Sequence, residues 1–140
     1  MREKQNVRIL DLEGVPPAVG PYSHVAIVEP DRRQALISGQ VAADSKGNLV
    51  GVGDFTAQCR LVFENLSSVV AALGATFDDV AFIRGYLSRA ADLPAYREER
   101  ERFYTSVCKN GFPPTTTLVV ASLYHPDCLI EVEAVAVLAN

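Results

Sequence analysis

The chain of 140 residues contains no tryptophan, a single methionine, two histidines and three cysteines. Cys59, Cys108 and Cys128 are widely separated and odd in number, which favours reduced thiols over a framework of disulfide bonds. The two histidines, His24 and His125, are distant from each other and lack a cysteine or histidine partner at the spacing of a zinc site. We therefore expect no metal site.

Basic clusters and long apolar runs are also missing. Thirteen Lys and Arg residues are outnumbered by seventeen Asp and Glu residues, which gives a formal net charge of −4. Because nucleic-acid binding depends on clustered basic side chains, this balance argues against a nucleic-acid partner. The first ten residues, MREKQNVRIL, lack the apolar core of a signal peptide, and no apolar run has the length of a membrane span. We expect a cytoplasmic protein with no membrane partner.

The composition that remains is that of a globular domain. It is 49% hydrophobic and 21% charged, and the length predicts a single domain, residues 1–140, with its own core. The periodicity of the apolar residues predicts the element order β-β-α-β-α-β-β. Strands are predicted over 24–29, 34–39, 80–88, 116–123 and 129–138, and helices over 54–73 and from Asp92 onward.

Turn and capping residues support these boundaries. The segment PDRR, between the first two strands, predicts that they form a hairpin. Asp54 or Thr56 can cap the start of the first helix, and Gly74 suits its end. Asp92 is a good N-cap for the second helix.

This order predicts an α/β (α+β) fold in which a mixed sheet carries two helices on one face. The strands are apolar on both sides, so the second face of the sheet also needs a cover. Another copy of the same chain is one obvious cover, and we therefore expect the protein to self-associate.

The last strand carries two carboxylates in an otherwise apolar run. Glu131 and Glu133 are two residues apart and share one face, while Ile130, Val132 and Ala134 take the other. Glu131 could act as a general acid or base. Alternatively, each glutamate could simply pair with a basic residue at an edge or interface.

Two arginines occupy positions where apolar residues are expected. Arg100 falls in phase with the apolar stripe of the second helix, and Arg84 lies within a predicted strand. Arg100 could extend its charged end to solvent, or it could direct the guanidinium into a cleft and bind a carboxylate. A salt bridge to Glu131 or Glu133 is the simplest interpretation of Arg84.

Three positions near the N-terminal strands complete the polar set. Tyr22 follows a Gly-Pro turn and could present its hydroxyl to a pocket, although a packed tyrosine is commoner. Ser38 and Gly39 lie at the end of a predicted strand. A glycine there permits either the close approach of a ligand to the backbone or a β-bulge.

Taken in order, these motifs resemble the Rid family, whose members are also described as YjgF-like proteins or L-PSP endoribonucleases. The likeness runs from about Pro16 to Leu138. The motifs are GPYS (20–23), ISGQVA (37–42), QCRLVFENL (58–66), LGATFDDV (73–80) and the closing segments FPPTTTLVVASL and LIEVEAVAV.

The resemblance implies a chorismate-mutase-like fold and a homotrimer with ligand clefts between its subunits. Well-known members of the family hydrolyse short-lived 2-imino acids or their enamine tautomers without a cofactor. By this likeness Tyr22 would line the cleft, Ser38 and Gly39 would lie beside the ligand, and Glu131 would orient or deprotonate the attacking water.

The chain departs from the deaminases of that family at the group that binds the substrate carboxylate. Those deaminases carry the motif F-P-A-R, and the position of its arginine is Thr115 here, within FPPTTT. Thr117 takes the place of a cysteine or similar small residue. A hydroxyl brings no charge, and charge-assisted contacts are about twice as strong as neutral ones. A helix position that is often asparagine in active members corresponds to Arg100. Arg100, or alternatively Arg84, could supply a relocated cation.

Two functions remain open at this point. The first is hydrolysis of an imine, enamine or related small molecule, with deamination of 2-imino acids in doubt because Thr115 replaces the arginine. The second is a small-molecule-binding or regulatory protein that retains the fold and the cleft without the chemistry. The ribonuclease activity in the family's name does not suit a net charge of −4 and the absence of a basic patch.

Overall fold

The computed structural model describes residues 5–10 and 12–140. Its strands are β1 (Val7–Leu10), β2 (Val25–Val28), β3 (Arg33–Gln40), β4 (Val80–Leu87), β5 (Thr115–Val119) and β6 (Ile130–Leu138). Its α-helices are α1 (Phe55–Ala72) and α2 (Leu93–Val107). Apart from β1, which the periodicity did not predict, this order agrees with the predicted β-β-α-β-α-β-β.

The main sheet has four strands in the order β3-β6-β4-β5. β6 pairs antiparallel with both β3 and β4, and β5 pairs parallel with β4. The sheet is therefore mixed, as predicted. β5 ends before the predicted boundary at residue 123, because the chain leaves the sheet after Val120, whose N–H donates to the Leu87 carbonyl at 2.8 Å.

The predicted hairpin between the first two strands is wrong. β2 pairs antiparallel with β1, and β3 pairs with β6, so the turn at 29–32 joins strands of two different sheets. That turn contains Asp31 at a φ of 61°. The turn sequence does not show which strand offers β3 the longer run of backbone hydrogen bonds. β3 has eight residues, and β6 offers it nine residues to pair with, whereas β2 offers only four.

Both helices pack on one face of the main sheet, as predicted, and the principal core lies between the two layers. The inward-facing strand residues include Ile83, Leu87, Ile130, Val132 and Ala134, and those of α1 include Cys59, Val62, Leu66 and Val70. Successive side chains of a strand point to opposite faces, so the residues of β4 and β6 that lie between these inward-facing ones point to the other face of the sheet.

Capping residues fix the ends of α1. The Asp54 side chain accepts a hydrogen bond from the Ala57 amide at 3.0 Å, and Gly74 follows the helix with a φ of 73°. Asp92 directly precedes α2 as predicted, but its side chain makes no capping hydrogen bond and instead pairs with Arg89 at 2.7 Å. Neither helix is long and apolar enough to cross a membrane, within the described residues.

Gln58 ties α1 to the beginning of β6. Its amide is completely buried, donates to the carbonyls of Gly51 at 3.0 Å and Asp127 at 2.8 Å, and accepts from the Leu129 amide at 2.9 Å. These three bonds satisfy backbone groups of two loops that would otherwise be buried without partners. Gln58 therefore fixes the chain that leads into β6.

The second face of the main sheet, which we call the open face, is only partly covered. The β1–β2 ribbon packs on Ala81 and Val137 at one end of it. Further along, Leu36 retains 81% of its exposure and Leu118 retains 44%. Their register opposite Val135 and Tyr86 places both leucines on this open face.

The role of Gln58 yields a test of stability. We expect Gln58→Leu to lower the free energy of unfolding by roughly 2–4 kcal/mol, because it leaves buried backbone groups unpaired. Urea denaturation would measure the change. Gln34→Leu, at an exposed position of β3, is the control and should change stability by at most about 0.5 kcal/mol. Equal effects of the two substitutions would contradict the role assigned to Gln58.

Candidate functional site

Glu133 lies at the centre of a polar cluster on the open face. Its Oε1 accepts hydrogen bonds from Tyr86 Oη and Arg84 Nη1, both at 2.6 Å. The register explains the ion pair, since Arg84 stands opposite Glu133 on the neighbouring strand. The Tyr86 hydroxyl and, to a lesser degree, the Arg84 guanidinium hold the pKa of Glu133 below its usual value. Of the two partners predicted for Arg84, Glu133 is the one observed.

Glu131 occupies the same face two residues earlier but has a different environment. Its side chain is half-buried, and no salt bridge joins its carboxylate to the described residues. It packs against Gly39 so closely that a Cβ at that position would collide with its Oε1. Glu131 is therefore a partly buried carboxylate whose oxygens remain free to accept hydrogen bonds.

Gly39 belongs to a β-bulge at the end of β3. The register of β3 against β6 shifts between Ile37 and Gln40, which leaves Ser38 and Gly39 outside the regular ladder. Ser38 is exposed, and its carbonyl accepts a hydrogen bond from Gln40 Nε2 at 3.0 Å. Of the two interpretations of the glycine, the bulge is observed, and the group that approaches the backbone is the Glu131 side chain.

Tyr22 lies in the loop before β2. Its hydroxyl accepts a weak hydrogen bond from the Val19 amide at 3.4 Å, and its ring packs edge-on against His24. The loop contacts α2, because Arg97 donates to the Val19 carbonyl and packs against Gly20. Tyr22 thus lies in a loop that contacts α2, and no hydrogen bond joins it to Glu131 among the described residues.

The three threonines of β5 alternate between the two faces of the sheet. Thr116 is exposed and stands opposite Arg84, which is consistent with ordinary strand chemistry. Thr115 and Thr117 point towards α2 instead. The Thr115 hydroxyl lies 2.9 Å from the Tyr104 hydroxyl, and Thr117 Oγ1 accepts from Arg100 Nη1 at 3.1 Å.

Arg100 is buried rather than extended to solvent, and retains only 6% of its exposure. The guanidinium carbon lies 5.2 Å from the ring centre of Tyr96 and 6.0 Å from that of Tyr104. Its single side-chain hydrogen bond is the one to Thr117, and its Nε is buried without a partner among the described residues.

The residues predicted to form a site therefore fall into two groups within one chain. Glu131, Gly39 and Arg84 share the open face, whereas Arg100, Thr115 and Thr117 lie on the face covered by α2. Strand β4 separates β6 from β5, which places their backbones roughly 10 Å apart. A small molecule in contact with Glu131 cannot also reach Arg100 of the same chain.

The sequence interpretation missed the tyrosines that organise both groups. Tyr96, Arg100 and Tyr104 recur every four residues on one face of α2, so the spacing was available as a signal. Tyr86 lies two residues after Arg84 and faces the same side of its strand. Nothing in the sequence indicated that its hydroxyl would bind Glu133.

None of the three cysteines is a prepared nucleophile. The three cysteines are free, and burial raises the pKa of Cys59 and of Cys108 to about 12. A thiol with so high a pKa is almost entirely protonated at neutral pH and reacts poorly. The described residues also contain no metal site: no three His, Cys, Asp or Glu side chains among them are arranged to hold an ion.

Comparison with known proteins agrees with this fold. The family model for endoribonuclease L-PSP matches residues 13–138. Protein DfrA of Myxococcus xanthus is 32% identical over 87% of this chain and 88% of its own length. The 3-aminoacrylate deaminase RutC of Acinetobacter baylyi is also 32% identical, over 89% of this chain and 92% of its own length.

A solved structure gives the same result. The Rid-family protein YyfB of Yersinia pestis, described as being of unknown function, is 34% identical and covers 95% of this chain, and this chain covers 99% of YyfB. Their backbones superpose with a TM-score of 0.84. The fold is accordingly the chorismate-mutase-like fold of the L-PSP proteins. On the family model and these relatives together, the chain belongs to the endoribonuclease L-PSP, or Rid, family.

Proposed function

We propose that the protein hydrolyses a small imine or enamine, with Glu131 as the group that orients and deprotonates the attacking water. The observation that carries this proposal is the contrast between two carboxylates of one strand face. Glu133 is held by Arg84 and Tyr86, whereas Glu131 has no salt-bridge partner among the described residues. A base must keep lone pairs free for the proton that it removes.

The reaction needs little beyond this base. Water adds its oxygen to the imine carbon and transfers one proton to Glu131. Glu131 returns this proton to the nitrogen and then carries the proton of the new hydroxyl group to the nitrogen as the carbon–nitrogen bond breaks, so that ammonia leaves and a carbonyl group remains. The high pKa of the Cys59 and Cys108 thiols makes both poor nucleophiles, which favours water as the attacking group. The name of the RutC relative supports this class of substrate, because 3-aminoacrylate is an enamine.

Substrate binding next to Glu131 requires walls that one chain does not supply. The open face around it carries exposed apolar residues such as Leu36. We propose that a second copy of the chain covers this face and completes a cleft over Glu131, Ser38 and Gly39, and that the assembly is a homotrimer. Exposed apolar patches commonly mark such interfaces.

Within one chain, Arg84 is the cation that shares the face of Glu131. A carboxylate attached to the reacting carbon lies about one bond length from it, so a binding group supplied by the same chain must lie on the same side of the sheet as Glu131. Thr115 brings no charge, and its hydroxyl is already engaged with Tyr104. Among the groups of one chain, we therefore assign substrate-carboxylate binding, if the substrate carries one, to the part of the Arg84 guanidinium that Glu133 does not occupy, rather than to Arg100 or Thr115.

The role of Glu131 gives a kinetic prediction. Glu131→Gln should lower kcat by about 100-fold or more, because removal of a general base typically costs 10²- to 10⁴-fold. Ammonia release from enzymatically generated 2-iminopropanoate and from 3-aminoacrylate would measure it. Tm should stay unchanged, because Glu131 forms no salt bridge with any of the residues that the structure describes.

The matched control is Glu64→Gln, which removes an exposed carboxylate of α1 and should leave kcat unchanged. Retention of full activity by Glu131→Gln would refute the proposed base. If the unaltered protein accelerates release from neither compound, the second function is favoured, namely a binding protein that retained the fold. The observation in its favour is Thr115 in place of a cation.

The proposed assembly has its own test. Leu36→Asp places a charge on the open face and should shift the protein from trimer to monomer in sedimentation velocity, because burying an unpaired carboxylate is unfavourable. Leu93→Asp, at a partly exposed position of α2, is the control and should leave the mass unchanged. A trimer that persists with Leu36→Asp would show that another surface mediates association.

A further inference from the structure

A groove lies between residues 60–64 of α1 and residues 99–106 of α2, on the solvent-exposed side of the two helices, and we call it the outer groove. It encloses about 330 Å³ and is lined by side chains of these two helices alone. Small-molecule sites commonly measure about 300–1,000 Å³. None of the lining residues belongs to the cluster around Glu131 and Glu133, so the outer groove is separate from the site of the proposed function.

The floor of the outer groove is formed by aromatic rings that extend from the core to the surface. Phe63 and Phe103 are stacked, with ring centres 4.8 Å apart and ring planes inclined by 26°. The Phe77 ring meets Phe103 edge-on, at 5.0 Å between centres. Phe63 retains 1% of its exposure, whereas Phe103 is only half-buried. Phe103 therefore ends a series of packed rings, and the part of it that lines the outer groove can stack with one more ring.

The charged side chains along the rim largely compensate one another. Arg60 donates two hydrogen bonds to Glu99, of 2.9 and 3.0 Å, and this ion pair joins the two helices. Arg102 lies 3.9 Å from the carboxylate of Glu98. Glu64 is exposed at the rim, where water and salt screen its charge. The outer groove thus combines an apolar floor with little net charge, which favours a neutral ligand over an ionic one.

We infer that the outer groove binds a small, neutral aromatic molecule that carries one N–H or O–H group. Its ring would stack on Phe103. The Ser106 hydroxyl donates to the Phe103 carbonyl at 2.7 Å, so its oxygen keeps a lone pair with which to accept a hydrogen bond from the ligand. The site lies on the helical layer, away from Glu131, and the inference does not depend on the proposed function.

The test uses the full chain and indole as the probe. Because the chain contains no tryptophan, indole can be followed by its own fluorescence. We expect its emission to shift to shorter wavelength, and the shift to saturate as protein is added, because the ring leaves water. Isothermal titration calorimetry gives the Kd. Tryptamine and indole-3-acetate carry the same ring with a positive or a negative charge, and each should bind about fivefold or more weakly, because part of the hydration of the charge is lost.

Substitutions locate the bound ring. Ser106→Phe should abolish the fluorescence shift, because residue 106 follows Phe103 by three positions on the same side of α2 and the added ring would cover it. The matched control is Thr105→Phe, at an exposed neighbouring position that does not line the outer groove, and it should bind indole like the unaltered protein. Phe103→Leu removes the stacking partner and should raise the Kd roughly two- to tenfold.

Four results would overturn the inference. Indole could fail to bind, or could bind Ser106→Phe as well as it binds the unaltered protein, which would place the ring elsewhere. Either charged analogue could bind more tightly than indole. Ser106→Phe could also change the mass of the assembly in sedimentation velocity, which would show that the outer groove is a contact between copies of the chain. Should Phe103→Leu fail to fold, the comparison of Ser106→Phe with Thr105→Phe still decides, since both positions are exposed.

Discussion

The alternation of side chains along β6 between the two faces of the sheet is the constraint on which the rest of the structure depends. β6 is hydrogen-bonded on both sides, to β3 and to β4, so a shift of one residue would move all its side chains to the wrong face. In the observed register Ile130 and Val132 enter the core beneath the helices. Glu131 and Glu133 consequently face the other side, where carboxylates can meet solvent, a cation or a partner.

Gln58 maintains that register from outside the sheet. It binds the chain on both sides of Cys128, immediately before β6 begins, and anchors it to the start of α1. A polar side chain in the middle of the core thus acts as a fixed connection between layers. Buried amides of this kind are tolerated because almost all of their hydrogen-bonding capacity is used.

The charges of the molecule separate into paired and unpaired groups, and the unpaired ones carry the functional interpretation. Glu133, Glu99 and Asp92 each have an arginine partner. Glu131 and Arg100 have none among the described residues, and they lie on opposite faces of the sheet. One is a carboxylate that can accept a proton, and the other is a cation surrounded by donors.

Much of the fold could be predicted from periodicity, and the errors have a common origin. The helices were located to within about one residue at the ends of α1, because Asp54 and Gly74 are strong local signals. The partner of β3 was wrong, because the PDRR turn is local whereas pairing with β6 spans about a hundred residues. Asp92 has the residue type of a cap but uses its carboxylate on Arg89, a competition that a helix pattern cannot reveal.

The sequence by itself determined which residues have unusual chemistry: two glutamates in an apolar strand, arginines in apolar positions, and three consecutive threonines at the start of an apolar run. Only the tertiary structure decided their partners. It joined Arg84 to Glu133 and packed Glu131 against Gly39 with no salt bridge to the described residues. It also enclosed Arg100 between two tyrosines. The reason is physical: residue type and spacing fix the face on which a side chain lies, whereas its partner depends on which distant strand or helix the register brings opposite it.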